Sequence, residues 1–151
     1  MKRIIHPVAG AIAILTIATF WCSTVLTELS GSKELGAAVK TAIPWGFLLL
    51  IPALVAVGAS GFVLSKGRRV GLIATKLSRM PLIAANGLLV LIPSALFLAS
   101  KARAAEFDSV FYDVQALELA AGAANITLLG LNMRDGLRIK GWLRRRPTGN
   151  L

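Results

Sequence analysis

The chain carries one cysteine and one histidine among 151 residues, and 7 acidic side chains against 17 basic ones. A single cysteine excludes an internal disulfide and any dithiol redox exchange within one chain. One histidine and one cysteine also fall short of the roughly four ligands that a structural zinc site needs. Glycine-rich phosphate loops, a Ser-His-Asp set and paired carboxylates are missing as well, so the expectation is a protein that is not an enzyme of the soluble type. Charge itself is scarce, 16% of residues against about 25% in an ordinary soluble domain, while 56% are hydrophobic. That imbalance places the chain in lipid.

Uninterrupted apolar runs predict four transmembrane helices over 4–27, 42–64, 82–100 and 112–133, each near the ~20 residues that cross a ~30 Å hydrocarbon core. The connections are too short to hide a soluble domain, which makes 1–151 one membrane domain ending in a basic tail over 134–151. Met1-Lys2-Arg3 before an apolar run has the look of a secretory signal. The run is too long for that, no small-x-small cleavage site follows, and Thr19-Phe20-Trp21-Cys22 lacks the small residues expected before a lipidated cysteine. The first span is expected to be retained.

Basic residues divide unevenly between the two sides. One side holds 13, namely Lys2, Arg3, Lys66, Arg68, Arg69, Lys76, Arg79, Arg134, Arg138, Lys140, Arg144, Arg145 and Arg146, and the other holds 4, Lys33, Lys40, Lys101 and Arg103. By the positive-inside rule both termini are cytoplasmic, and the expected fold is an all-α antiparallel four-helix bundle integral to the membrane. The net charge of +10 is then accounted for by anionic headgroups, each basic side chain contributing ~1 kcal/mol near the surface, with no call for nucleic acid. Trp142-Leu143-Arg144-Arg145-Arg146 suits either an interfacial segment or a solvated basic tail.

Pro7, Pro44 and Pro81 are expected in or beside the first turns of spans, where a missing N–H costs nothing. Pro52 and Pro93 fall mid-span and predict kinks. Small residues gather at Ala56, Gly58, Ala59, Ser60 and Gly61, and again at Ala116, Ala120, Ala121, Gly122, Ala123 and Ala124. Such surfaces serve packing in lipid, within the bundle or between subunits of an oligomer or larger membrane complex.

The polar residues of the spans fall on helix faces. Gln115, Glu118, Gly122, Asn125 and Asn132 share one face of the fourth span, His6, Ala9, Ala13, Thr16, Phe20, Ser23 and Thr27 one face of the first, and Asn86, Pro93 and Ser100 one face of the third. A polar interior seam is expected. At 1.5 Å rise per residue Glu118 shares its depth with Ser94 and Asn86 shares its depth with Asn125, whereas His6 lies roughly 18 Å of height from Glu118. Glu118 is costly in lipid unless neutral, paired or wetted, and is expected to be protonated, either as a proton or cation site or as a structural hydrogen-bonding acid. His6 lies at the cytoplasmic mouth near the level of Met80 and Met133, and a four-helix bundle can hold b-type haem between such side chains. His6 would then be the chain's metal ligand, to haem iron alone. The other possibility is that His6 caps a helix at the interface and both methionines are ordinary apolar residues. Cys22, beside Trp21 near the outer edge, reads as a small packed hydrophobe.

The strings His6-Pro7-Val8-Ala9-Gly10, Leu15-Thr16-Ile17-Ala18-Thr19-Phe20-Trp21, Ile43-Pro44-Trp45-Gly46-Phe47 and Asn132-Met133-Arg134-Asp135-Gly136 resemble those of a family of small proteobacterial membrane proteins with no assigned activity. The resemblance implies a bacterial inner membrane and supplies no site residues. Better-known four-helix families depart at their functional residues: the multi-haem cytochromes ask for several intramembrane histidines, the quinone-linked thiol oxidases for paired cysteines, and the small multidrug exporters for a glutamate on the first helix. Three functions stay open from the residues: a non-catalytic accessory or oligomer-forming partner of another membrane protein, a b-type haem protein using His6, and a small proton-coupled transporter centred on Glu118, Asn125 and Asn86.

Overall fold

The computed structural model describes residues 2–65 and 72–139, all of them helix or short turn. The elements are α1 (Lys2–Ser30), α2 (Lys33–Ser65), α3 (Leu72–Asn86), a π-helical turn (Gly87–Leu91), α4 (Ile92–Arg103) and α5 (Ser109–Ile139). Among the described residues four helical stretches, Ile4–Ser30, Lys33–Gly61, Ser78–Arg103 and Ser109–Arg138, are long and apolar enough to cross a membrane. Lys66, Arg68, Arg69 and the tail residues Lys140, Trp142, Arg144, Arg145 and Arg146 lie outside the described residues.

Each helix extends beyond its apolar run, because helix ends are set by capping chemistry rather than by hydropathy. At the first turn Gly31 takes φ +66° and donates its N–H to the Glu28 carbonyl at 3.1 Å, the left-handed ending that glycine accepts without a Cβ penalty. Ser32 then caps α2, its Oγ accepting from the Leu35 N–H at 3.3 Å. At the other tight connection Ala105 adopts the left-handed conformation, Ala105 N–H reaches the Ala102 carbonyl and Glu106 N–H the Lys101 carbonyl, the paired bonds of a Schellman ending. Asp108 starts α5 by accepting from the Phe111 N–H at 2.9 Å.

The boundaries correct the expectation for Pro44 and Pro81, while Pro93 falls mid-span within Ser78–Arg103 as expected. Pro44 and Pro81 stand well inside α2 and α3 rather than in first turns. Pro93 is at the start of α4, just after the π turn, whose wide register is closed by the Ile92 N–H donating to the Gly87 carbonyl. The irregularity expected at Pro93 is therefore a π turn placed immediately before it, where the helix loses a donor.

α2 packs on α1 and α4, while α5 packs on α1, α3, the π turn and α4. The core joins Ala13 and Ile17 of α1, Leu50 and Ala53 of α2, Ile83 of α3 and Leu129 of α5. A second cluster, Leu98, Ala102 and Phe111, ties α4 to α5. α2 and α3 make no comparable contact among the described residues, which leaves a gap on that side. Leu15, Trp45, Leu48, Leu89 and Leu117 stand exposed around the outside, as side chains solvated by lipid would.

Candidate functional site

A cavity of about 1310 Å³ runs between the helices, reaching from Trp21 and Glu118 at one end to His6, Met80 and Met133 at the other. Its walls are mostly apolar, with Ile17, Phe47, Leu50, Ile83 and Leu129 among them. It reaches the outer surface of the bundle, since Val55 of α2 and Leu88 of the π turn both line it and are 64% and 63% exposed. A lipid-soluble molecule can enter by that route without crossing water.

Three polar levels are built along the cavity. At the Glu118 end of the cavity Lys40 of α2 is 1% exposed, forms an ion pair with Glu118 of α5 and donates to Thr24 Oγ1 of α1 at 3.2 Å. One ammonium thus holds three helices together. Alongside, Trp21 donates its indole N–H to the Leu119 carbonyl at 2.9 Å, and its ring lies so close to Gly122 that an added Cβ would sit 3.0 Å from Cδ1. Gly122 provides the recess into which the indole fits.

At the middle level Asn86 Nδ2 donates to Asn125 Oδ1 at 3.0 Å and to the Ala121 carbonyl at 2.8 Å. Asn125 Nδ2 in turn points at the Ile83 carbonyl, 3.5 Å away. The pair clamps α3 to α5 where the π turn begins, and it satisfies amides that lipid would leave bare.

At the opposite end of the cavity His6 Nδ1 lies 2.9 Å from Ser60 Oγ. The Ser60 hydroxyl itself donates to the Ala56 carbonyl. Close by, Arg79 Nη1 of α3 holds Asp135 Oδ2 of α5 at 2.7 Å and reaches Asn132 Oδ1 at 3.5 Å. Asp135 is 2% exposed; its Oδ1 makes no hydrogen bond and lies 3.5 Å from Arg134 Nε.

The residues expected from sequence separate into those the fold brings together and those it does not. His6, Met80, Met133, Glu118, Asn125 and Asn132 all line the one cavity, and Asn86 joins it through Asn125. Gln115 is buried but faces a small separate hollow near the α1–α2 turn with Thr27 and Glu28. Thr16 bonds to its own helix at the Ile12 carbonyl, so the inner face of α1 runs through Ala13, Ile17 and Thr24 rather than through Thr16, Ser23 and Thr27. Ser94 is buried, yet the partner of Glu118 is Lys40. Of the ways a carboxyl can be accommodated there, neutral, paired or wetted, the fold supplies Lys40 as a pairing partner for Glu118. Lys40 had been counted as an outer-loop cation; the Ser32 cap, which starts α2 at Lys33, was the available signal that Lys40 lies two turns inside a helix. Cys22 is exposed rather than packed. Among the described residues no three His, Cys, Asp or Glu side chains are gathered as a metal-binding group.

Comparison with known proteins finds no match for this chain among family models, curated proteins or solved structures, so the cavity's own geometry carries the functional argument.

Proposed function

We propose that this is a multi-pass bacterial inner-membrane protein, an antiparallel four-helix bundle with both termini in the cytoplasm, whose work is to hold a lipid-soluble ligand between its helices. The orientation is supported by the excess of Lys and Arg on the side of the termini. The observation that carries the function is the cavity: about 1310 Å³, against the ~300–1,000 Å³ typical of small-molecule sites. It is apolar along its walls, polar at three fixed levels and lined in part by the exposed side chains of Val55 and Leu88. The serine–histidine contact beside the cavity, Ser60 with His6, has its hydroxyl turned to the Ala56 carbonyl rather than into the cavity, so binding rather than side-chain catalysis fits the site.

The test is native mass spectrometry of the protein released from lipid nanodiscs, followed by extraction of whatever it retains. A defined apolar ligand retained by wild type, and lost in Gly58→Leu, supports the proposal. Gly58 lines the cavity, and a Cβ built there meets nothing within 4 Å, so the leucine occupies ligand space and leaves packing alone. Retention of bulk phospholipid only, unchanged by Gly58→Leu, would overturn it.

A second reading, association with another membrane protein, has its own observation. Ala116, Ala120, Ala124 and Thr127 form an exposed strip on α5, and Gly130 beyond them faces open space. Small residues allow close helix approach in lipid. Ala120→Cys in a Cys22→Ser background should yield a disulfide-linked dimer in native membranes if the strip pairs with a second copy; a heterologous partner would leave it monomeric and appear on co-purification.

A further inference from the structure

Which ligand the cavity takes is narrowed by its Glu118 end. We propose that the ligand is a neutral, long-chain amphiphile with a hydroxyl head, seated with that head between Glu118 and Thr24 and its chain along the cavity. This rests on the ligand-binding reading and names the ligand's chemical class.

Thr24 and Glu118 both line the cavity, and both have hydrogen-bonding capacity that the protein leaves unused. Thr24 Oγ1 accepts from Lys40 Nζ at 3.2 Å, so its own proton is left to give. Thr16 and Thr19 on the same helix turn their hydroxyls back to the Ile12 and Leu15 carbonyls at 2.8 Å. Thr24 makes no such bond, and among the described residues its proton meets no acceptor although the residue is only 2% exposed. A buried hydroxyl in that state costs free energy until a guest supplies the acceptor. Glu118 receives the ammonium through Oε2, and a carboxylate has about four lone-pair sites over its two oxygens, so Oε1 can still accept. Thr24 Oγ1 and Glu118 Oε2 are bonded to the same Nζ, which keeps the two side chains within reach of one guest oxygen. A hydroxyl answers both at once: it donates its proton to Glu118 and accepts the proton of Thr24.

Charge selects against ionic heads. Lys40 and Glu118 sum to zero wherever the proton between them sits. An ammonium or carboxylate head would therefore enter an apolar cavity as an uncompensated charge, at high cost. A phosphate head fares no better, since no Lys or Arg among the described residues lines the cavity. A hydroxyl brings a donor and an acceptor without a net charge.

Length calls for a long chain. Trp21 and His6 mark the two ends on α1 and are about 22 Å apart at 1.5 Å per residue. Ile17, Leu50, Leu54 and Leu129 line the space between. Beside the head, the Trp21 indole N–H is already given to the Leu119 carbonyl, so its ring offers carbon surface only.

The test uses the full chain in nanodiscs doped with equal amounts of oleyl alcohol, oleylamine, oleic acid and octadecene, re-purified and extracted, with each probe quantified. The tail is nearly constant and the head alone varies. Wild type should carry oleyl alcohol at about 10-fold or more the level of the other three, the discrimination that one hydrogen bond to a charged group gives. Thr24→Val should lose roughly 3- to 10-fold of that preference, and Thr24→Ser, which keeps the hydroxyl, should retain it. If Thr24→Val fails to fold, Lys40→Met/Glu118→Leu decides: it removes both charges together and should take octadecene as readily as the alcohol, and an undiminished preference there would overturn the proposal. Enrichment of oleylamine or oleic acid over the alcohol would overturn it as well. So would equal retention of all four probes; if that retention is abolished by Gly58→Leu, the cavity keeps its role and only the head group is refuted. A protein that takes none of the four but retains a native apolar ligand sensitive to Gly58→Leu refutes this inference alone, whereas no ligand of any kind refutes both.

Discussion

Lys40 and Glu118, 78 positions apart, form an ion pair at one end of the cavity, with Thr24 as the ammonium's second acceptor. Removing one partner strands the other charge in a low-dielectric interior, which typically costs 3–5 kcal/mol, whereas replacing both with apolar groups is often near neutral. Lys40→Met should therefore destabilise the protein by about 3 kcal/mol, and Lys40→Met/Glu118→Leu should regain most of that in equilibrium unfolding in detergent. A double variant no more stable than Lys40→Met would show that the pair is not what holds the two groups there.

Asn86 and Asn125 form the neutral clamp of the middle level. Polar contacts in lipid are worth less than their isolation suggests, about 0.6 kcal/mol on average and up to about 1.7 by double-mutant cycles, because the unfolded helices also find partners. A cycle of Asn86→Ala and Asn125→Ala should give a coupling in that range. A value near zero would mean that each amide is satisfied by backbone alone, through the Ala121 and Ile83 carbonyls.

Asp108 lies between the third and fourth spans and titrates in water. Lys101, 2.5 Å away, and next the Phe111 N–H hold its carboxyl below its ordinary 3.8. A carboxyl whose folded pKa is depressed contributes stability that is complete above its unfolded pKa and is lost as pH falls through the folded value. Wild type should thus lose melting temperature as pH drops below the ordinary carboxylate range. Asp108→Asn keeps a capping oxygen but not the charge; it should melt lower than wild type at neutral pH, and the difference should shrink in acid. A constant difference would assign the effect to the cap alone.

The four spans were legible because lipid imposes a length and a composition, and each apolar run satisfied both. Helix ends were not, since a hydropathy window stops at the first charge while Ser32, Ala105 and Asp108 place the ends by local hydrogen bonding. That difference hid Lys40. The Asn86–Asn125 pair could be read from depth, because a fixed rise per residue aligns two helices whose apolar runs share the same boundaries. Azimuth was harder: Thr16 and Ser23 share a helix face on paper with Ala13, but α1 turns toward its neighbours along Ala13, Ile17 and Thr24. The Ser60 contact of His6 and the Arg79–Asp135 pair join residues 54 and 56 positions apart, and depended on packing that one-dimensional periodicity does not contain.

Gly46 and Gly58 lie on the same helix and should respond oppositely to a methyl group. At Gly46 an added Cβ would overlap the Phe20 ring, which is packed edge-on against Phe47 at 6.4 Å and cannot retreat without disturbing it. Overpacking of that kind costs about 1–3 kcal/mol, so Gly46→Ala should lower stability by that amount. At Gly58 nothing lies within 4 Å of the added carbon, and alanine is a better helix former than glycine by roughly 0.5–1 kcal/mol. Gly58→Ala should be neutral or stabilising in the ligand-free protein. In the presence of the cavity's ligand the same methyl competes for the ligand's volume, so thermal shift by ligand should be smaller in Gly58→Ala than in wild type. Equal ligand shifts in both would place the binding site away from α2, and a destabilised ligand-free Gly58→Ala would mean that the cavity closes on itself when empty.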